Sequence, residues 1–388
     1  MKYFKCLFIS VFIISIFFPF TTEAADIAQD QVTIVKAKVV QVISQTEVVL
    51  PGTNTESATQ NLQVEITEGP EKGKNVVFDN DYVMLKAGDS FYLSYTVQPE
   101  GNEFYSVFEP DRLPVLIFFS VLFIALVLIF GGIQGLRGLL SLAGSLLVIT
   151  FVLLPGILHG FPPLLVSIGV SSLIIILGSY VTHGFNKTTS AAVIGMIATV
   201  IVTGILAYFA VYSSHLTGVT SDESVFLNFN LQGHIDLVGI LMGGIMIGLL
   251  GILYDVSIGQ AISVEELHTI APHINKWEIY KRAIRIGREH IGALVNTLAI
   301  AYVGASLPLL LLFYSSANSS FAMIVNREVF ATEIIRILIG SIGLVLSVPI
   351  TTLLSVYMLI KIKKSKTSLD HSVLEKEESK LEHFEHHH

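Results

Sequence analysis

Charge is scarce in this chain. Of its 388 residues only 14% are Asp, Glu, Lys or Arg, where a soluble domain carries about 25%. With 52% hydrophobic residues and a mean hydropathy of +0.69, an ordinary water-soluble globule is excluded. Cysteine is nearly absent. The single one, Cys6, lies in the N-terminal apolar stretch, which rules out a disulfide framework or a thiolate metal site. A basic surplus is missing too. The formal net charge is −8, and the basic residues fall in short clusters beside apolar runs. Nucleic acid is therefore not an expected partner. No signature of nucleotide binding, a nucleophile elbow or a redox site is present, so neither an enzyme nor a cofactor is expected.

What is present divides along the chain. "MKYFKCLFISVFIISIFFPFTTEAA" has Lys2 and Lys5, an apolar run and then small residues. It reads as a signal peptide or signal anchor over residues 1–25. Residues 26–112 are polar and β-branched. "VTIVKAKVVQVI", "NLQVEIT", "KNVVF", "SFYLSYTV" and "EFYSVF" read as five strands, separated by the turn signals "PGTN", "EGPEKGK", "KAGDS" and "QPEGNE". The expectation is a small extracytoplasmic all-β domain, a barrel or sandwich of OB-like form.

Residues 113–361 read as an α-helical polytopic membrane domain. Seven runs approach the roughly 20 apolar residues that span a bilayer. They are Pro114–Gly131, Leu136–Leu154, Pro163–Val181, Thr188–Tyr212, Leu237–Tyr254, Ala293–Phe313 and Ile334–Ile360. If the β domain lies outside, the inside loops hold Arg137, Lys187, Lys276, Lys281, Arg282, Arg285 and Arg288, and the tail start adds Lys361, Lys363, Lys364 and Lys366. The outside loops hold only Arg327. Basic residues favour the cytoplasmic side. The expected place is therefore a bacterial cell membrane, with a cytoplasmic C-terminus and a disordered tail over 362–388. In the cytoplasmic segment 256–292, Trp277, Tyr280, Ile284 and Ile291 share one helical face and the charges Glu278, Lys281, Arg282, Arg285 and Glu289 the other, as in a helix lying on the inner leaflet.

Small residues recur every four positions. Ala191, Gly195, Thr199, Thr203 and Ala207 make one ladder, and Gly343, Ser347, Thr351 and Ser355 another. Gly239 pairs with Gly243, and Gly244 with Gly248. Such ladders let helices approach closely. Asp255 ends the run "GGIMIGLLGILY" with no cation beside it. It has two readings: the N-cap of a following helix, or an ion-binding or proton-exchanging carboxylate. Asn296 and Thr297 open the sixth run at a similar depth, and Glu265 follows ten residues on, on a broadly similar face. These four are the candidate transport or ion-site residues. Glu265, Glu266, His268 and His273 lack a metal-ligand spacing, so no metal is expected. His159, His183, His215 and His234 read as loop residues.

"HGFNKTTSAAVIGMIATVIVTGIL", "GGIMIGLLGILYDVSIGQAISVEEL" and "REHIGALVNTLAIAYVGASLPLLLL" resemble the YibE/F family of bacterial membrane proteins. The resemblance implies this layout, an exported β-rich region followed by several helices, without naming a reaction. At 257–260 the chain has "SIGQ" where the family continues with small and apolar residues. The layout around Asp255 is also similar to SecD/SecF and RND permeases, which use membrane carboxylates with proton gradients. Two function classes follow. One is a secondary transporter or permease for an unidentified small solute or ion, possible coupling to protons included. The other is a non-transporting scaffold that recruits membrane or envelope partners through its β domain and basic loop.

Overall fold

The computed structural model describes residues 32–49, 56–97, 103–315 and 320–360. The signal segment, the tail and the turns PGTN and QPEGNE lie essentially outside them. The chain forms two compact units, one up to Phe123 and one from Ile124.

The first unit is one antiparallel sheet of five strands. They are β1 (Val32–Val49), β2 (Glu56–Ile66), β3 (Asn75–Asn80), β4 (Ser90–Val97) and β5 (Glu103–Pro110), in the order β3-β2-β1-β4-β5. All five runs anticipated from the sequence are strands. β1 is central because it is long enough to serve two neighbours. It pairs with β4 over Val32–Lys38 and with β2 over Ala37–Val49. Register shifts at Val39/Gln41 and Val42/Ser44 bend it. The sheet curls until β3 and β5 approach each other without pairing. The result is a half-barrel. The expectation of a closed, OB-like barrel or a sandwich is corrected accordingly: six-residue β3 and bulged β1 curl one sheet without closing it.

Alternation puts Ala37, Val39, Leu62, Val64, Ile66, Phe91 and Leu93 on the inner face, each at most 1% exposed. Gln60 and Asn80 are buried there and carry the backbone of the next segment. Gln60 accepts from the Leu85 N–H (2.9 Å) and donates to the Leu85 carbonyl (3.0 Å). Asn80 donates to the Val83 carbonyl (2.7 Å).

The second unit is helical, and its first helix starts before the unit boundary. The helices are α1 (Leu113–Leu158), α2 (Pro163–His183), α3 (Lys187–Ser213), α4 (Asp222–Asn230), α5 (Leu237–Ile270), α6 (Lys276–Ala305), α7 (Leu307–Ser315), α8 (Phe321–Val325) and α9 (Glu328–Leu359). α5 and α9 pack on each other; α3 packs on both, α2 on α5 and α3, and α6 on α9 and α5. Met196, Val200, Met246, Leu249, Leu253 and Leu344 are wholly buried at this centre.

Among the described residues, five helices are long and apolar enough to cross a membrane, or six if α6 and α7, bent by 73°, form one span. The seven-run reading differs at two places. The first two runs are the two helical segments of α1, separated by a kink at Gly132 (φ 52°, ψ −136°), the second winding as a π-helix over Ile149–Leu153. That φ is left-handed and suits only a residue without Cβ. The sixth run is broken at Ser306, because Pro308 has no N–H to bond back to Gly304 and its ring would clash with that carbonyl, so α6 cannot continue through it and a new helix starts at Leu307. The fifth run does not end at Tyr254. α5 continues for another sixteen residues, because Val256, Ile258, Ala261 and Val264 keep an apolar face buried until Pro272 stops the turn. The segment 256–292 is therefore two helices joined at 271–275. α6 buries Ile279, Ala283 and Gly287 against its neighbours, while Trp277 stands 61% exposed.

Candidate functional site

Asp255 lies inside α5, so the reading of it as a helix cap is corrected. The N-cap of α5 is Asp236, which accepts from the Gly239 N–H at 2.8 Å. Asp255 instead sits on a face of α5 that is mostly uncovered, Tyr302 of α6 reaching it only at Gly248. Gly244, Gly248, Gly251, Asp255, Gly259 and Ile262 follow at helical spacing and are all exposed. A Cβ at Gly244, Gly251 or Gly259 would meet nothing within 4 Å. These glycines bare the backbone beside the carboxylate rather than seat a helix of this chain.

The close approaches join α3 to α9, and α5 to α2 and α6. A Cβ at Gly195 would stand 2.6 Å from Thr351 Oγ1, and one at Gly343 2.6 Å from Thr203 Oγ1. Gly239 sits against Pro163, Gly243 against Ser167 and Gly248 against the Tyr302 hydroxyl. Thr199, fully buried, donates to the Gly195 carbonyl (2.9 Å), and Ser347 to the Leu344 carbonyl (2.7 Å). Of the packing residues named from the sequence, Gly244 is the one left open.

The structure gives Asp255 a neighbour that the sequence reading placed in a loop. His183 is the last residue of α2, half-buried, and within electrostatic reach of Asp255. Its ring lies 5.7 Å from that of Tyr254, whose hydroxyl donates to the Gly178 carbonyl at 3.2 Å. No hydrogen bond joins Asp255 to Asn296 or Thr297 among the described residues. Gly287 lies beside Gln260 and Tyr302 beside Gly248, so α6 runs antiparallel to α5 and brings the two to about the level of Asp255. Both are exposed, and the Thr297 hydroxyl is turned to the Ala293 carbonyl (2.9 Å). Glu265 is exposed roughly 15 Å farther along α5. It belongs to a different level.

Next to Asp255, but facing inward, runs a buried polar seam. The Thr351 hydroxyl donates to Ser257 Oγ (3.1 Å) and the Thr352 hydroxyl to Gln260 Oε1 (2.9 Å). Ser257 and Gln260 come from the "SIGQ" stretch. They couple α5 to α9 by side chains wholly out of contact with solvent. Such bonds are well suited to holding two apolar helices in one register.

A second polar cluster has no counterpart in the sequence reading. Arg336 and Glu333 lie in α9, one turn apart, with Arg336 Nη1 2.9 Å from Glu333 Oε1. Ser306, at the broken end of α6, donates to Glu333 Oε2 at 3.3 Å. Tyr302 is within electrostatic reach of both charges. The signal was available: two opposite charges three residues apart at the head of an apolar helix are a helical ion pair. No group of three or more His, Cys, Asp or Glu able to hold a metal occurs among the described residues.

A family model, YibE/F-like protein, matches residues 119–361, well over half of the chain. The chain belongs to the YibE/F-like family. The match takes in both polar clusters and all the long apolar helices from Phe119 onward, which is compatible with a multi-pass membrane protein. No curated protein and no solved structure matches the chain.

Proposed function

We propose that this YibE/F-like protein is a secondary transporter or permease for a small solute or ion, with Asp255 as its ion-sensitive centre. The observation that carries the reading is the place of Asp255. It is a carboxylate in mid-helix, on an open glycine-flanked face, with the His183 imidazole of α2 within electrostatic reach. A carboxylate there has no capping role, and ionisable groups at membrane depth are functional by default. By helix rise Asp255 stands roughly 27 Å from the start of α5, close to the inner edge of a hydrocarbon layer about 30 Å thick. There it can exchange a proton or cation with the cytoplasm while its helix faces a path across the bilayer. Coupling to protons through Asp255, with His183 in electrostatic reach, is the natural consequence. The buried seam of Ser257, Gln260, Thr351 and Thr352 is consistent with the same reading, since it holds α5 and α9 in one register beside Asp255.

The membrane placement belongs to the proposal: the Lys and Arg bias puts residues 26–112 outside and the C-terminus in the cytoplasm. Cysteines placed near Asp222 should react with an impermeant thiol reagent from outside, and those near Lys187 or Arg285 should not. The scaffold reading keeps one observation in its favour. α1 is apolar throughout its spanning window and buries none of it, which leaves a long surface for lipid or for another membrane protein.

The deciding experiment is flux in reconstituted vesicles, with and without a pH gradient. Asp255→Asn keeps shape and hydrogen-bonding capacity but cannot titrate. It should leave insertion and folding intact and abolish gradient-dependent flux. Full activity in Asp255→Asn would remove the transporter reading's centre, and absence of flux for every solute class tried would favour the scaffold.

A further inference from the structure

The Glu333–Arg336 cluster carries more than a helix contact needs. A guanidinium is expensive at membrane depth and is tolerated when its donors are paired. Arg336 is paired only in part. Nη1 is taken by Glu333, but Nε is enclosed by the protein and meets no acceptor. A buried donor on a cation left without an acceptor is costly, more so than on a neutral group. A pair selected only to fasten α9 would fill that edge, and guanidinium recognises carboxylate and phosphate best through two parallel N–H bonds.

The surroundings suit an exchange of partners. Ser306 caps α6 where the chain bends by 73° into α7, so its hydroxyl stands at a break in the apolar helices. Broken helices at membrane depth are where solute sites are built. Tyr302 adds a second hydroxyl, seated over Gly248, where a Cβ would collide with it. Thr332, fully buried and also without a partner, adjoins Glu333 in the chain and lies one helical turn before Arg336. The next acid toward the start of α9, Glu328, is engaged elsewhere: it accepts from the backbone N–H groups of Thr217 (2.6 Å) and Gly218 (3.0 Å).

We propose that Arg336, held by Glu333 beside Ser306 and Tyr302 at the break between α6 and α7, is a binding site for the oxyanion of a solute, a carboxylate or a phosphate. Glu333 is the resident stand-in for that anion. Arg336 leaves it to take the incoming oxyanion through Nε and a terminal nitrogen, and the two hydroxyls are positioned to donate to the same group. The inference rests on the permease reading and names its substrate class.

The test measures binding, so it stands apart from any flux result. The full chain is purified in a neutral maltoside detergent. Its thermal midpoint is then followed against sodium acetate, sodium phosphate and sodium chloride at matched ionic strength, and against added phosphatidylglycerol. Acetate or phosphate should raise the midpoint where chloride does not, and Arg336→Gln should lose the rise. Glu333→Gln removes the competing carboxylate and should bind at least about tenfold more tightly. A rise from phosphatidylglycerol alone, lost in Arg336→Gln and enhanced in Glu333→Gln, assigns the oxyanion to a lipid headgroup and keeps the site. Equal shifts in wild type and both variants would overturn the proposal. If Arg336→Gln does not fold, Glu333→Gln decides alone: unchanged or weaker affinity there means the pair is only a fastening. Binding without flux would sink the permease and leave the site, whereas flux that ignores both variants would do the opposite.

Discussion

Inside the β unit, Gln60 and Asn80 are buried and their amide groups are engaged with the backbone of 83–85 and with one another's neighbourhood. Inside the helical unit, Ser167, Ser171, Thr332 and Ser355 are buried with hydroxyls that meet no partner. Among the described residues, every orphaned buried side-chain atom belongs to the helical unit. The contrast follows from where each unit keeps its backbone. The segment after β3 is neither helix nor strand, so its N–H and C=O groups need side-chain amides to be buried at all. Helices satisfy their own backbone, and a serine hydroxyl there serves first as a small spacer. Ser167, lying against Gly243, shows that use. In the β unit polar side chains are structural partners. In the helical unit many of them set distances, the Ser257–Thr351 and Gln260–Thr352 bonds aside, and an orphan that is charged, such as Arg336, is the exception to explain.

That comparison breaks most readily at the closest helix contact. At Gly195 any added side chain meets not only Thr351 Oγ1 but also the Thr351 backbone, with Cα 2.9 Å from the new Cβ. Backbone cannot turn aside. Gly195→Leu should therefore cost at or beyond the top of the roughly 1–3 kcal/mol typical of overpacking, read as a lowered thermal midpoint or lost folded protein in detergent. Gly244→Leu, on the open face, should melt as wild type does. Equal melting of the two would mean that spacing is not what the small residues provide.

A paired exchange sharpens it further. Gln60→Ala orphans both the N–H and the carbonyl of Leu85, at about 1–3 kcal/mol for each group. Ser171→Ala removes a hydroxyl that has no partner and should change stability hardly at all. Urea unfolding of the β unit and thermal unfolding of the full chain give the two numbers. A costly Ser171→Ala would show that its hydroxyl has a partner in solution.

The sequence made the strands legible because each is short, β-branched and bounded by turn residues such as those of "EGPEKGK". It could not show closure, since β1's register shifts depend on how β2 is offset against it. Asp255 was conspicuous, but its place was misread. One acid does not end a helix when Val256, Ala261 and Val264 keep the buried face going, and Pro272 was the true stop. Its nearness to His183 spans two helices and leaves no local trace. Glu333 and Arg336 were hidden by arithmetic, because two charges barely lower the mean hydropathy of a 32-residue helix.

The smallest expected effect lies at the rim of the β unit. Lys74 donates to Glu71 (3.0 Å), Glu103 (2.9 Å) and the Tyr105 hydroxyl (3.0 Å), and that hydroxyl donates to Glu103. The Lys74 ammonium holds the Glu103 carboxyl below its usual range, with the Tyr105 hydroxyl adding to the effect; Glu109 is lowered in the same way by Arg112. A carboxyl whose folded pKa is depressed stabilises above its unfolded pKa, here near 4.5. The contribution is lost as pH falls through the lower, folded value. All these groups are exposed to solvent, so screening keeps the effect small. The β unit should thus melt at the same temperature from pH 7 down to about 5 and slightly lower below 4. In Glu103→Gln that decline should be shallower, and added salt should flatten it in the wild type. If Glu103→Gln follows the wild-type curve at every pH, the Lys74 cluster contributes nothing to folding. The interior pairs of Gln60 and Asn80, which carry no charge, would then account for all of the unit's polar specificity.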